Sequence, residues 1–205
     1  MNKDTLLHKY LLEPDPKNSQ IFRYNKVMIC LMSLLTEVPE VTIANTRIYS
    51  RSPIRYLPFY PAHKGGGAIT LGNHKWHSIT YTENFFSDDR SRYGAAAYAN
   101  KVRTWLRMSA HEVGHLNHTL RFRSFLIYLI VFAYQYLKYG HDAAPLEKEA
   151  DLGTRNLSHF NNYLRSQNQT WTLTSLLTSD KSEAEKIEQL KDWWSLAIEG
   201  KEYSA

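Results

Sequence analysis

Residues 111–115 read His-Glu-Val-Gly-His, which brings together side chains able to hold and use a metal ion. On a helix, positions four apart lie on one face, so His111 and His115 can reach the same ion. Zinc accepts neutral imidazole nitrogens, and catalytic zinc sites combine three protein ligands with a water. Glu112 adjoins the first histidine and would face that water. The pattern predicts one Zn²⁺ ion held by both histidines, with Glu112 as general base.

The third ligand is expected downstream, where residues 145–151 read Pro-Leu-Glu-Lys-Glu-Ala-Asp. Proline suits the first turn of a helix, so Pro145 indicates a helix start. Glu147 and Asp151 then lie one turn apart on one face of that helix. Glu147 can bind the metal while Asp151 accepts a hydrogen bond from a ligand imidazole and fixes its orientation.

The sequence leaves alternatives to Glu147 open. His118 lies seven residues after His111 on nearly the same helix face, so it is an alternative third ligand. Glu149 is a second acid in the downstream segment, but it would point well away from Asp151. We prefer Glu147 because it has Asp151 as a partner and lies on a separate helix.

These residue types predict hydrolysis of an amide or peptide bond. Zinc lowers the pKa of bound water to about 7 and polarises a carbonyl group. Glu112 would take the proton of the attacking water and pass it to the leaving amine. The tetrahedral oxyanion needs a further hydrogen-bond donor. The candidate donors are His141, Tyr139 and His159.

Apolar residues recur at helical spacing through much of the chain. Helices are predicted within residues 1–18 and at 19–38, from 95 or 100 to 121, and at 124–137, 145–165 and 181–198. Gly114 lies in the middle of the motif helix, where glycine costs about 1 kcal/mol relative to alanine. Its presence indicates a close approach by another backbone or a ligand.

Strands are predicted where β-branched residues alternate with turn signals, at residues 46–50, 68–71 and 76–82. Gly72-Asn73 would connect the last two as a hairpin. The glycines at 65–67 precede this hairpin without the Lys-Ser/Thr of a phosphate-binding loop, which argues against that function. The expected fold is α+β and mostly helical, with a small antiparallel sheet packed on the motif helix.

The segment 124–137 is strongly apolar and resembles a membrane segment in composition. A spanning helix needs about 20 residues, and this segment is shorter. We therefore predict a buried helix and no spanning segment. Arg121, Arg123 and Lys138 at its ends leave contact with a membrane interface open.

Composition sets the remaining limits. The chain has 205 residues and a net charge of +5, a size that fits one domain. We expect a core at about 41–166, with N-terminal helices in 1–40 and a C-terminal helix at 180–200 packed on it. Cys30 is the only cysteine, so stability must come from packing or a metal. No nucleic-acid-binding pattern is present. The N-terminal residues lack the features of a Sec signal peptide, which predicts synthesis in the cytoplasm.

Glu-x-x-Ala-Asp downstream of His-Glu-x-x-His resembles the signature of the gluzincin metallopeptidases. The residue six positions after His115 is Arg121, so the metzincin continuation is absent. The chain is also similar to small metallopeptidase domains of bacterial polymorphic toxins and contractile-injection effectors. The similar segments are Gly-Ala-Ile-Thr-Leu-Gly-Asn at 67–73, the apolar helix, and Pro-Leu-Glu at 145–147. The resemblance covers about residues 65–156. His118 departs from it, since related domains often carry glutamine there.

This resemblance implies a zincin-like fold, Glu147 as third ligand and Asp151 as its supporting acid. It implies a zinc metallopeptidase that acts on a protein or peptide, delivered as an antibacterial toxin by a type VI or related secretion system into a target cell. An immunity protein or a secretion carrier would be a further partner. In gluzincins an edge strand such as 68–71 can pair with an extended peptide. A zinc amidase acting on peptidoglycan and a non-catalytic zinc-stabilised binding module are the alternatives.

Overall fold

The structure is a computed structural model that describes residues 10–52, 67–82, 95–167 and 172–202. The strands are β1 Leu12–Asp15, β2 Asn18–Tyr24, β3 Arg47–Ser52, β4 Ala68–Asn73 and β5 Trp76–Thr82. The helices are α1 Lys26–Thr36, α2 Glu40–Asn45, α3 Ala95–Arg121, α4 Phe125–Tyr139, α5 Pro145–Gln167, α6 Leu173–Thr178 and α7 Glu183–Glu202. The predicted helices at 145–165 and 181–198 correspond to α5 and α7, whereas the short α6 was not predicted.

The strands form one sheet in the order β1-β2-β3-β5-β4. Neighbouring strands are antiparallel except for β3 and β5, which run parallel. The α+β class is therefore confirmed, but the sheet is mixed rather than wholly antiparallel. Its parallel pair follows from the chain path, because β4 and β5 form a hairpin and β5, not β4, lies beside β3. This order leaves β4 at the edge of the sheet, against the motif helix α3.

The β4–β5 hairpin turns two residues later than predicted. Gly72 and Asn73 belong to β4 and pair with β5, and the connection is His74-Lys75. The side chain of Asn73 accepts a hydrogen bond from the backbone N–H of Lys75 at 2.8 Å, which stabilises this turn. The glycine serves a different purpose, because a Cβ at Gly72 would lie 2.4 Å from the Trp76 carbonyl oxygen.

The prediction of helices throughout residues 1–40 was wrong for part of that segment. Residues 12–24 form the β1–β2 hairpin, while residues 1–9 lie outside the described chain. The Asp15 carboxylate holds the turn, since it accepts a hydrogen bond from the Lys17 backbone at 2.8 Å and pairs with Arg23 at 2.6 Å. Helix α1 begins only at Lys26, where Asn25 caps it by accepting from the Met28 backbone N–H.

One hydrophobic core joins the N-terminal, central and C-terminal elements. It includes Leu31 and Leu35 of α1, Ile79 of β5, Phe160 of α5 and Leu190 of α7. Helix α1 packs on both α5 and α7, and α5 packs on the motif helix α3. The described elements therefore share a single packed interior, which holds α3 and α5 in fixed positions.

The prediction that residues 124–137 form a buried helix was wrong in its burial. Helix α4 is present, but Tyr128 is its one fully buried residue. Leu126, Ile130 and Leu137 are 64%, 59% and 86% exposed. One face of α4 packs on β4, α3 and α5, which leaves the other face at the surface. Among the described residues, no helix combines the length and apolar character needed to cross a bilayer.

Helices α3 and α5 cross at unusually short range through small residues. A Cβ built on Gly114 would lie 2.6 Å from the Ala150 carbonyl oxygen. A Cβ on Gly153 would lie 2.6 Å from the Ala110 carbonyl oxygen. The inference that Gly114 marks the approach of another backbone is therefore confirmed. Each contact lies one residue from a predicted site residue, because Ala110 precedes His111 and Gly114 precedes His115.

We predict that Gly114→Ala destabilises the protein although alanine favours helices. The new methyl group meets backbone atoms of α5, so the two helices must separate, and such overpacking costs about 1–3 kcal/mol. Urea unfolding followed by circular dichroism measures the change in the free energy of unfolding. Arg103→Ala, an exposed position on the same helix, is the control and should change stability little. A Gly114→Ala protein as stable as the parent would contradict the close crossing.

Candidate metal centre

The two histidines of the motif project from one face of α3. His111 Nε2 and His115 Nε2 lie 3.2 Å apart. The ring of His115 is buried, whereas that of His111 is partly exposed. Two nitrogens at this distance, one from a partly exposed ring and one from a buried ring, can share a single ion.

Glu147 joins the two histidines from the first turn of α5. Its Oε2 lies 3.1 Å from His111 Nε2 and 3.5 Å from His115 Nε2. The structure thus brings together the three residues predicted as ligands, and this group could hold a metal ion. Helix α5 provides the carboxylate because Pro145 starts it, which places Glu147 in its first turn.

The electrostatics of this group favour a negative charge on Glu147 and a positive charge beside it. Burial favours the neutral acid, but the two imidazoles outweigh it and hold the pKa of Glu147 well below its ordinary value. Burial also opposes a charge on His111, but Glu147 and Glu112 outweigh it and raise the pKa of His111 to about 9. Glu147 Oε2 is buried and accepts no well-aligned hydrogen bond, although both imidazoles lie near it. An unsatisfied buried carboxylate oxygen is costly, and a metal ion would satisfy it.

Asp151 lies where the sequence predicts it, behind the first histidine. Its Oδ1 is 2.9 Å from His111 Nδ1. In the neutral ring, the carboxylate accepts the N–H of that nitrogen, so the lone pair that a metal would bind is on Nε2, which faces Glu147. One turn of α5 separates Glu147 from Asp151. A single helix therefore supplies both the carboxylate that faces the two histidines and the carboxylate that orients His111.

His118, the alternative third ligand, lies behind His115 instead of facing the group. The two Nδ1 atoms are 3.2 Å apart. His118 Nε2 lies 3.1 Å from Glu149 Oε2, and Glu149 also pairs with Arg121 at 2.8 Å. Burial and the neighbouring His115 lower the pKa of His118, so its ring is neutral. A neutral ring that donates to Glu149 can accept the Nδ1–H of His115, which leaves His115 Nε2 free for a metal.

Glu112 is buried and is held from β4 by Thr70. The Thr70 hydroxyl lies 2.7 Å from Glu112 Oε2 and 2.8 Å from the Glu112 carbonyl oxygen. The sequence analysis did not identify this contact, since a threonine in a predicted strand is unremarkable by itself. The signal available was its position on the strand expected to pack on the motif helix. One edge-strand hydroxyl thus orients the carboxylate predicted as general base.

The three candidate donors for an oxyanion lie in different places. His141 Nε2 is 3.8 Å from Glu147 Oε2, so His141 borders the group. Tyr139 is exposed, and its ring lies beneath the Lys138 ammonium. His159 approaches the Ala197 carbonyl at 3.4 Å and is about 18 Å along α5 from Glu147. His141 is therefore the one candidate donor that borders the group of His111, His115 and Glu147. No contact places Tyr139 at this group, and His159 lies too far along α5 to reach it.

Helix α4 packs beside the group of His111, His115 and Glu147. The rings of Phe132 and His115 have centroids 6.4 Å apart. The buried Tyr128 hydroxyl donates to the Thr70 carbonyl at 3.4 Å. Burial, together with the negative charges of Glu112 and Glu147, raises the pKa of Tyr128 above its ordinary value, so it remains a neutral donor. None of these contacts was predicted, because they depend on which face of α4 turns inward.

We predict that His118→Ala weakens metal binding without abolishing it. Loss of the group that orients His115 should lower the affinity for zinc about 10- to 100-fold, while one ion per chain still binds. Glu147→Ala should lose stoichiometric binding, because it removes a ligand. Competition with a chelating dye measures both affinities, and Arg107→Ala on the exposed side of α3 is the control. If Glu147→Ala kept the ion and His118→Ala lost it, His118 would be the ligand.

Comparison with protein-family models, with curated proteins and with solved structures gives no match to this chain. The resemblance to gluzincins therefore depends on the spacing of the motif residues. The group formed by His111, His115 and Glu147, with Glu112 next to His111 in the sequence, is the basis for assigning a function.

Proposed function

We propose that this chain is a zinc metallopeptidase in which His111, His115 and Glu147 hold the ion and Glu112 is the general base. The spacing of the three ligand atoms is the observation that carries this proposal. Around a tetrahedral zinc with bonds of about 2.0–2.1 Å, neighbouring ligand atoms lie about 3.3 Å apart. The distances among the two Nε2 atoms and Oε2 are 3.1, 3.2 and 3.5 Å.

The donor set favours zinc over the harder divalent ions. Calcium and magnesium prefer six or more oxygen ligands, whereas two imidazoles and one carboxylate are typical of catalytic zinc. His118 engages His115 and Glu149, so it does not complete the coordination. With three protein ligands, a fourth position would be open to water, as in hydrolytic zinc sites.

The protein side chains have distinct tasks in the proposed reaction. An ion held by His111, His115 and Glu147 would supply Lewis acidity to a water and to the scissile carbonyl. Thr70 occupies Glu112 Oε2, so we assign proton transfer to the other carboxylate oxygen, Oε1. Asp151 and His118 keep the two imidazoles in the tautomers that direct Nε2 inward. Glu112 then returns the proton to the leaving amine, which completes cleavage of the peptide bond.

The edge strand β4 offers a way to align a peptide beside the centre. An extended substrate can add to a sheet edge through main-chain hydrogen bonds. Thr70 of β4 already contacts Glu112, so a strand paired there would lie next to the general base. Tyr128 contacts the Thr70 carbonyl, so substrate would pair elsewhere along β4 or displace that contact.

We assign the enzyme to the group of delivered antibacterial effectors, on the basis of its resemblance over about residues 65–156. The proposal includes export by a dedicated secretion system and an immunity protein in the producing cell. Expression of the chain in a susceptible bacterium, directed either to the cytoplasm or to the periplasm, tests this setting. Growth arrest that needs Glu112 in one compartment would support it, and normal growth in both would contradict it.

We predict that Glu112→Gln abolishes peptide cleavage while one zinc ion per chain remains bound. The amide keeps the size of the side chain but cannot accept the proton of the attacking water. Zinc content by mass spectrometry and cleavage of a mixed peptide library measure the two properties separately. An active Glu112→Gln protein would overturn the proposed mechanism.

Purified peptidoglycan, tested in parallel with the peptide library, distinguishes the reaction class. Release of new amine groups from peptidoglycan but not from the library would assign the chain to the amidases. A protein that binds zinc and acts on neither would be a zinc-stabilised binding module. In either case the proposed metal centre would still be supported, and the assignment as a peptidase would be wrong.

We predict that His141→Ala lowers kcat for the peptide about 100- to 1,000-fold, the usual loss when an oxyanion donor is removed. His141 borders Glu147 without belonging to the predicted ligand set, so zinc content should be unchanged. Steady-state kinetics on the best library peptide measure this effect. His159→Ala is the matched control and should retain kcat, since His159 lies near Ala197. Equal kcat in both variants would exclude His141 as the donor.

A further inference from the structure

Helix α4 presents a continuous apolar face to the surface of the protein. This outer face of α4 consists of Leu126, Ile127, Ile130, Ala133, Tyr134 and Leu137, all of them exposed. These positions recur at helical spacing, so they form one stripe along the helix. Soluble proteins rarely leave large apolar side chains contiguous at the surface, and such patches mark contact sites.

The charged side chains of helix α4 and of the residues just before it are all basic. Between Glu112 and Asp142 the sequence contains no aspartate or glutamate. Arg123 precedes the helix and Lys138 lies in its last turn, and both are exposed. Arg121 pairs with Glu149, so its charge is compensated and it is not part of this basic set. The apolar stripe therefore has cationic ends and no acidic group of its own.

Aromatic residues extend the face onto the β4–β5 hairpin. Trp76 is 44% exposed, and its ring packs against Phe125 with centroids 5.6 Å apart. Lys75 in the adjacent turn is exposed as well. At the other end, the Lys138 ammonium lies over the rings of Tyr134 and Tyr139. Tryptophan, tyrosine and lysine at the margin of an apolar surface are the side chains favoured at the boundary between lipid and water.

We propose that the outer face of α4 docks on a membrane surface that contains anionic lipids. Apolar side chains would enter the region between headgroups and acyl chains while Arg123, Lys138 and Lys75 contact lipid phosphates. A second copy of the chain is a poorer complement, because it would bring basic residues against basic residues without an acid between them. Charge complementarity thus favours anionic lipid over self-association.

Docking would hold the metal centre close to the membrane. The opposite side of α4 contributes Phe132 beside His115 and Tyr128 beside Thr70. A substrate presented at the membrane surface would therefore meet a site that is already nearby. Membrane docking itself does not require peptidase activity, so the two proposals can fail independently.

Co-sedimentation of the full, zinc-loaded chain with lipid vesicles tests the proposal. We expect at least tenfold tighter binding to vesicles of phosphatidylcholine with 30% phosphatidylglycerol than to phosphatidylcholine alone (about fivefold for each basic residue at the surface). An Ile130→Ser, Leu137→Ser double variant should bind at least tenfold more weakly, because it removes two inserted side chains. Arg123→Ala with Lys138→Ala should lower binding mainly to the anionic vesicles.

A Val41→Ser, Leu196→Ser double variant is the matched control, because both residues are exposed and apolar but lie on other helices. It should bind vesicles like the parent, and circular dichroism and zinc content should be the same for all variants. Absence of binding to anionic vesicles, or binding that the α4 variants leave unchanged, would overturn the proposal. So would a dimer in light scattering that only the α4 variants convert to monomer, since a second copy would then cover the face.

Discussion

The close crossing of α3 and α5 is the constraint on which the metal centre depends. Gly114 and Gly153 each lack the Cβ that would collide with the backbone of the opposite helix. Separation of the helices by the width of one methyl group would withdraw Glu147 from both imidazoles, because all three ligand atoms lie within 3.5 Å. The residue after each small residue of α3 at this crossing is a proposed ligand, so the closest backbone contacts lie beside the proposed ligand set. Packing precision at one crossing therefore determines the distances available to a metal.

The second requirement is that the negative charge of Glu147, buried where α3 and α5 cross, is compensated by neighbouring groups. Glu147 is buried, and an isolated buried carboxylate would cost several kcal/mol. The imidazoles compensate for it in part, and each imidazole is oriented by a further acid, Asp151 for one and Glu149 through His118 for the other. Both of these acids are about half exposed, so water solvates them at little cost. The charge of a buried centre is thus connected to solvent through two short hydrogen-bonded paths.

The sequence predicts those features that local spacing and helix geometry determine. The helix bearing His111 and His115, the start of α5 at Pro145 and the α+β class all follow from short patterns. The partner of His118 and the role of Thr70 depend on contacts between distant segments, which spacing does not encode. The β1–β2 hairpin was missed because its apolar residues, among them Phe22, also fit a helical period. Burial of α4 was misjudged because composition indicates that a segment is apolar but not that a partner covers it.

The order of the ligands along the chain has a consequence for the unfolded state. His115 and Glu147 are joined by α4 and its connections, so an ion bound to both closes a loop of about 30 residues. The site forms only when this loop is folded, so the free energy of metal binding would add to the free energy of unfolding. Cys30 is the only cysteine, so no disulfide within the chain can do the same. The ion would therefore be a reversible cross-link as well as a reagent, and chelators would loosen the loop that carries α4.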